Sequence, residues 1–229
     1  MKKTNNNIKQ CEASELWAEY FEKAKPDMGV QWEETIFPRI KDSDFETCID
    51  LACGGGRNTE KLVPLCEKIY AIDLNQYAID IAKKYLKERL SKKDFSKITF
   101  IKNTGTDLTR IKDNSISFIY SWDSGVHMSR DVIRDYVKEF KRVLKTPGTG
   151  FFHHSNFGAK EFNHIDPRFK AIVNIEGIGI NNPHWRTDMS AGDFKDFCDE
   201  SGLDCTKQDI IDWGIKNLDC ISMFQSNEI

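Results

Sequence analysis

Thr47-Cys-Ile-Asp-Leu-Ala-Cys53 runs straight into Gly54-Gly-Gly56, and Arg57-Asn58 follow. A short apolar run stopped by glycines reads as a buried strand. Residues 57–66 then read as a helix. A glycine-rich turn between a first strand and a helix lets backbone approach a ligand closely. Seventeen residues beyond Gly56, at the end of the run KIYAID (68–73), stands Asp73. A carboxylate in that place can accept hydrogen bonds from both hydroxyls of a ribose. A dinucleotide fingerprint would want a further glycine three residues after Gly56, so that the helix packs under a pyrophosphate. Thr59 stands there instead.

Outward from this stretch the pattern alternates. Residues 75–91 predict an amphipathic helix with Ile79, Ala82, Tyr85 and Leu86 on one face. KITFIK (97–102) and ISFIYSW (116–122) read as the third and fourth strands. Residues 130–145 predict a helix with the stripe Ile133, Val137, Phe140 and Leu144, stopped by Pro147-Gly148. A fifth strand follows over 149–155. Alternation of this kind implies a parallel sheet with helices on both faces. Residues 157–189 break the rhythm with Gly158, Pro167, Gly177, Gly179 and Pro183. A long irregular insertion in a compact domain is more often functional than idle. A helix at about 190–202 precedes strands at 203–212 and 217–225, whose short connection makes them antiparallel. Near the start, Leu16, Trp17, Tyr20 and Phe21 recur at helical spacing.

Composition bounds the class. The 229 residues fit one α/β domain. Hydrophobic residues make up 39%, charged residues 30%, and the net charge is −3. That balance gives no electrostatic reason to expect a nucleic-acid partner. Lysines 83, 84, 92, 93 and 97 read as a solvated helix face. No apolar stretch approaches the ~20 residues a bilayer span needs. The opening MKKTNNNIKQ lacks the apolar run of a secretory signal. Seven cysteines without a C-x-x-C pair read as reduced thiols, and a cytoplasmic location is expected.

The segment Asp50-Leu-Ala-Cys-Gly-Gly-Gly-Arg57 resembles the first motif of class I S-adenosylmethionine-dependent methyltransferases. The resemblance implies a Rossmann-like seven-stranded mixed α/β sheet with its last strand antiparallel. It implies S-adenosylmethionine as donor and S-adenosylhomocysteine as product. Asp50 and the Gly54–Gly56 turn would hold the methionine end, flanked by Ala52 and Arg57. Asp73, followed by Leu74, would hold the ribose. Gly105, Thr106 and Asp107 would lie near the adenine, and Ser121, Trp122 and Asp123 would line the opposite wall.

The acceptor is read from what is present and missing. Methylation of exocyclic base amines usually goes with an Asn/Asp-Pro-Pro-aromatic turn after the fourth strand, where this chain has Ser121-Trp-Asp-Ser124. No Pro-Cys pair occurs, which a cytosine-carbon enzyme needs. His127, His153 and His154 fall just after the fourth strand or in the fifth, where open α/β sheets bind ligands. A hydroxyl must lose its proton as it attacks a sulfonium methyl, and histidine has a suitable pKa. His153 and His154 are strand neighbours and face opposite sides, so one of them at most points into a site. Asp123 could orient His127. No spacing demands a metal, although Asp123 with the histidines could form a site.

Further segments are similar to bacterial methyltransferases of surface polysaccharide and lipopolysaccharide. They are Gln31-Trp32 with Phe37-Pro-Arg39, Tyr120-Ser-Trp-Asp-Ser-Gly-Val-His127, Phe152-His-His-Ser-Asn156, Asn182-Pro-His-Trp-Arg186 with Met189-Ser-Ala191, Gln208 with Trp213-Gly214, and Leu218-Asp-Cys-Ile-Ser222. This resemblance implies O-methylation of a sugar, on a glycan or a nucleotide-linked precursor. Trp32, Asn156, His184, Trp185 and Arg186 would contact the acceptor, since tryptophan stacks on sugar faces and arginine forks onto phosphate or carboxylate. The expected plan is a single domain over 1–229. It comprises an N-terminal cap (1–46), a donor-binding core (47–156), an acceptor lid (157–189) and a helix with the terminal strand pair (190–229). The alternatives are another small acceptor, such as a phosphorylated group or amino sugar, and a non-catalytic cofactor-binding partner of an active enzyme.

Overall fold

A computed structural model describes residues 28–163 and 186–227. The early helical stripe of Leu16 to Phe21, His164, His184 and Trp185 lie outside the described residues. In chain order the elements are α1 (Met28–Val30), a π-helical turn (Gln31–Ile36), α2 (Phe37–Ile40), β1 (Thr47–Leu51), α3 (Arg57–Leu62), β2 (Lys68–Asp73), α4 (Gln76–Arg89), α5 (Lys92–Phe95), β3 (Ile98–Lys102) and β4 (Ile116–Gly125). Then come α6 (Arg130–Val143), β5 (Leu144–Ser155), a 3₁₀ turn (Lys160–Phe162), α7 (Ala191–Ser201), β6 (Asp204–Ile211) and β7 (Asp219–Ser226).

The seven strands form one sheet in the order β3-β2-β1-β4-β5-β7-β6. The first five run parallel, and β7 enters antiparallel between β5 and β6. This is the Rossmann-like mixed sheet with an antiparallel final strand. Its order reverses between β1 and β4, where open α/β sheets form their ligand crevice.

Both faces of the sheet are covered, so its strands read as nearly unbroken apolar runs. On one face Ile49, Ile119, Phe152 and Phe224 pack against α6 and α7 through Ile133, Phe140 and Phe194. On the other, Cys48, Phe118, Tyr120, Phe151 and Ile221 meet Trp32, Ile36 and Ile40 from the N-terminal helical run and Leu62 from α3. The period of two assigns neighbouring residues to opposite faces. Helix ends follow local chemistry. Asn75 caps α4 by accepting from the Tyr77 amide, and Ser190 with Asp193 form a reciprocal capping box on α7.

Several boundaries differ from the sequence expectation. The helix after the glycine turn ends at Leu62, not 66. The fifth strand begins at Leu144, so Pro147-Gly148 lies inside β5 and α6 ends earlier, at Val143. The fourth strand runs to Gly125, past residue 122, because its end carries a bulge. No helix among the described residues is long and apolar enough to cross a membrane.

Candidate active site

The site is built at the carboxyl ends of β1, β2 and β4. After β1 the chain turns sharply, with Ala52 at φ 58°, Gly54 at φ 51° and Gly56 at φ 87°. Gly56 is the pivot. A side chain there would come within 3.0 Å of the Leu86 Cδ1 and 3.2 Å of the Ala82 Cβ on α4. The close helix approach that a third glycine would serve elsewhere is thus made at Gly56.

Asp73 latches this turn. One carboxylate oxygen accepts from the Gly54 amide at 2.9 Å and the other from the Asn75 amide at 2.8 Å. A carboxylate offers about four acceptor sites, and Asp73 is only half-buried, so capacity for a ribose hydroxyl is left. Burial raises its pKa against the three backbone amides, of Asn75, Gly54 and Leu74, that lower it. Leu74 beside it is half-buried.

Asp50 sits beneath the turn, 1% exposed, and accepts a 2.6 Å hydrogen bond from the Thr59 hydroxyl. Loss of water pushes its carboxyl up to about 7; Thr59 and Arg57 pull it down and Asp73 pushes it up. Arg57, at the first position of α3, reaches across to Asp123 at 2.8 Å. Ser121 ties β4 to β1 by donating to the Leu51 carbonyl at 3.0 Å, and Ser124 donates to the Ala52 carbonyl at 3.3 Å. Tyr120 donates to the Asn58 side chain at 3.2 Å. Beyond β3, Asp107 organises a polar loop with Gly105 at φ 93°, accepting from Thr104 and Thr109. Partial burial would raise its pKa, but these bonds hold it below the ordinary carboxylate value. Thr106 is half-buried on that loop.

The histidines separate clearly. His153 and His154 are wholly buried on opposite faces of β5. His154 stacks on Phe194 and uses both ring nitrogens, toward the Ser155 carbonyl at 2.9 Å and the Ser222 hydroxyl at 2.8 Å. Burial lowers its pKa to about 4. His153 lies between Trp122 and Trp213 and bonds to the Asp123 amide and Asp219. Only His127, among the three expected at the site, keeps partial exposure. It lies on the turn after β4, with its amide donating to the Ser124 carbonyl.

Of the expected acceptor residues, Trp32, Asn156 and Arg186 are taken up by the framework, as is Trp122 of the expected donor wall. Trp32 is buried in the core, and Trp122 packs on Phe151 and donates to Gln31 at 3.0 Å. Asn156 accepts from the Ala191 amide and donates to the Asn217 carbonyl, each at 3.0 Å. Arg186 is 1% exposed and grips both carboxylate oxygens of Asp219, at 2.6 and 2.8 Å. Asp219 escaped assignment from the sequence, although it stands in the quoted Leu218–Ser222 segment. Its signal was a lone acid amid an apolar strand, DCISMF. Among the described residues no group of three or more His, Cys, Asp or Glu side chains could hold a metal ion.

A family model described as a methyltransferase domain matches residues 48–148. No curated protein matches the sequence. A solved S-adenosylmethionine-dependent methyltransferase from Clostridium acetobutylicum ATCC 824 superimposes with a TM-score of 0.65 at 13% identity, covering 91% of this chain and 99% of that one. A protein from Pyrococcus horikoshii OT3 gives 0.65 at 17% identity, covering 93% and 94%. The complex of the Haloferax volcanii Trm112 methyltransferase activator with a protein described as a methyltransferase gives 0.64 at 16% identity, covering 94% and 99%. Residues 48–148 thus match a methyltransferase domain, and the sheet around them has the Rossmann-like fold of these solved structures. That fold implies S-adenosylmethionine as the cofactor. The residues present suit it chemically. A glycine turn admits close backbone approach, Asp73 has spare acceptor capacity, and Asp50 offers a carboxyl group near the turn.

Proposed function

We propose that the protein methylates a hydroxyl oxygen of a sugar, free, in a glycan or linked to a nucleotide, with His127 as general base. The position of His127 carries this reading. It is partly exposed on the turn after β4, four residues beyond Asp123 of the Arg57–Asp123 pair, whereas His153 and His154 are wholly buried. When bound, S-adenosylmethionine supplies a methyl group on a cationic sulfur. His127 takes the hydroxyl proton as the oxygen attacks. The chain otherwise contributes alignment and exclusion of water.

The described ends of the insertion over 157–189 support its proposed role in holding the acceptor. Its exit docks on the His127 turn, where Thr187 donates its amide to the Val126 carbonyl at 3.2 Å and its hydroxyl to the Met128 carbonyl at 2.9 Å. Its entry is tied to its exit, since the Gly158 amide donates to the Met189 carbonyl at 2.9 Å. Donor contacts fall to Asp50, Ala52, Gly54, Gly56, Arg57, Asp73, Leu74, Thr106 and Asp107, above a wall of Ser121 and Trp122. His184 and Trp185 are the proposed sugar contacts, and Arg186, next in sequence, is held by Asp219. The sugar itself rests on the sequence resemblance.

The test is a turnover assay with nucleotide sugars, free sugars and glycan fragments, the product read by mass spectrometry. Methylated sugar is expected. His127→Ala should lower turnover by ~10²–10⁴-fold with donor affinity kept. Turnover only on amino groups or phosphates, or full activity in His127→Ala, would reject the reading.

A further inference from the structure

The bulge at the end of β4 faces a buried ring. Ser121 pairs with Phe152 and Gly125 with His154, so three residues of β4 stand opposite His153 alone. Bulges cluster beside active sites, where they re-aim a side chain. Here the re-aimed residue is Asp123, at φ 56°, a left-handed conformation costly for a residue with a side chain. From it the carboxylate reaches Arg57 at 2.8 Å. Gly125 closes the bulge, because a side chain there would strike the His153 carbonyl at 2.5 Å.

An extra residue in a strand loses its ladder partner. The Asp123 amide finds one in the His153 Nδ1, at 3.1 Å. A ring nitrogen that accepts carries no proton, so the proton of neutral His153 sits on Nε2. That nitrogen then donates to Asp219 Oδ2 at 3.2 Å. The same carboxylate oxygen accepts from Arg186 Nη2, and Oδ1 accepts from Arg186 Nε. Burial would raise the Asp219 pKa, but the bonds from His153 and Arg186 hold it below its ordinary value.

We propose that His153 and Asp219 are positioning residues: Asp219 fixes the His153 tautomer, and His153 Nδ1 fixes the Asp123 bulge that places Arg57 at the donor turn. The proposal rests on the reading that this turn and Arg57 hold the donor. It makes one acceptor atom, not the bulk of the ring, the feature that matters. Asparagine places an oxygen where Nδ1 stands and loses the link to Asp219. Glutamine places a donor where Nε2 stands and loses the acceptor for Asp123. Both remove the ring from between Trp122 and Trp213.

The experiment compares S-adenosylhomocysteine affinity, by calorimetry, in wild type, His153→Asn and His153→Gln, with folding checked by thermal denaturation. Histidine ¹⁵N shifts of the ligand-free wild type report the tautomer. His153→Asn should stay within about threefold of wild type, and His153→Gln should weaken binding by about tenfold or more, the scale of one lost hydrogen bond. Equal affinities in the two variants, or a proton found on Nδ1, would overturn the proposal. A wild type that does not bind the probe would remove the donor site itself. The tautomer measurement would still decide the clasp between His153 and Asp123.

Discussion

Asp50 carries a proton at mildly acid pH, because burial raises its carboxyl to about 7 from 3.8. With the folded value above the unfolded one, its contribution to stability is complete below about pH 4 and is lost as pH rises through 7. A cationic amino group at the methionine end of the donor would favour the ionised form. Donor binding near pH 6 should therefore release up to one proton, fading to none by about pH 9. Calorimetry in buffers of differing ionisation heat measures this. Asp50→Asn should abolish the release while keeping the Thr59 contact, and absence of release in the wild type would detach Asp50 from the amino group. At this scale the sequence was legible where chemistry is local. The glycine turn and Asp73 follow one another within 20 residues. Arg57–Asp123 and His153–Asp219 each join residues 66 apart, and Arg186–Asp219 residues 33 apart. No periodicity announces such pairs. Trp32, Asn156 and Arg186 look like surface recognition residues by type, yet the fold spends them on internal struts.

Elements were legible where burial dictates a period. Strands β1, β2 and β3 follow apolar runs bounded by turn residues, and α4 and α6 follow their stripes. Boundaries shift where tertiary contact overrides local rules. The β4 bulge extends a strand through polar Ser121-Trp-Asp-Ser124, and the pairing of Ile116 with Leu144 starts β5 before its proline. The turn between β1 and α3 yields a prediction at this scale. Gly56→Ala forces a left-handed alanine whose methyl meets Leu86 and Ala82 on α4. A loss of roughly 1–3 kcal/mol is expected by denaturant titration, together with weaker donor binding as the Asp73 latch on Gly54 shifts. Unchanged stability would mean that α4 yields freely and that the turn is not its anchor.

For the whole molecule, donor-site occupancy and folding are linked. A ligand bound only by the native chain at ~100 times its Kd adds about 2.7 kcal/mol. For a domain of this size that is about 5–10 °C in Tm. S-adenosylhomocysteine should raise Tm by that amount in the wild type and by less in Asp73→Ala, which loses the Gly54 latch and the proposed ribose contacts. An equal rise in both would argue against Asp73 as a donor contact. The order of the sheet bears on how the chain is made. β6 emerges before β7 but pairs with β7 alone, and β5 waits for β7 on its open edge, with Gly148 meeting Ser226. While the ribosome holds β7, two strand edges stand unpaired, a state prone to wrong pairing between chains. Closure of the sheet therefore waits on β7. It joins positions far apart in sequence, and such steps are slow.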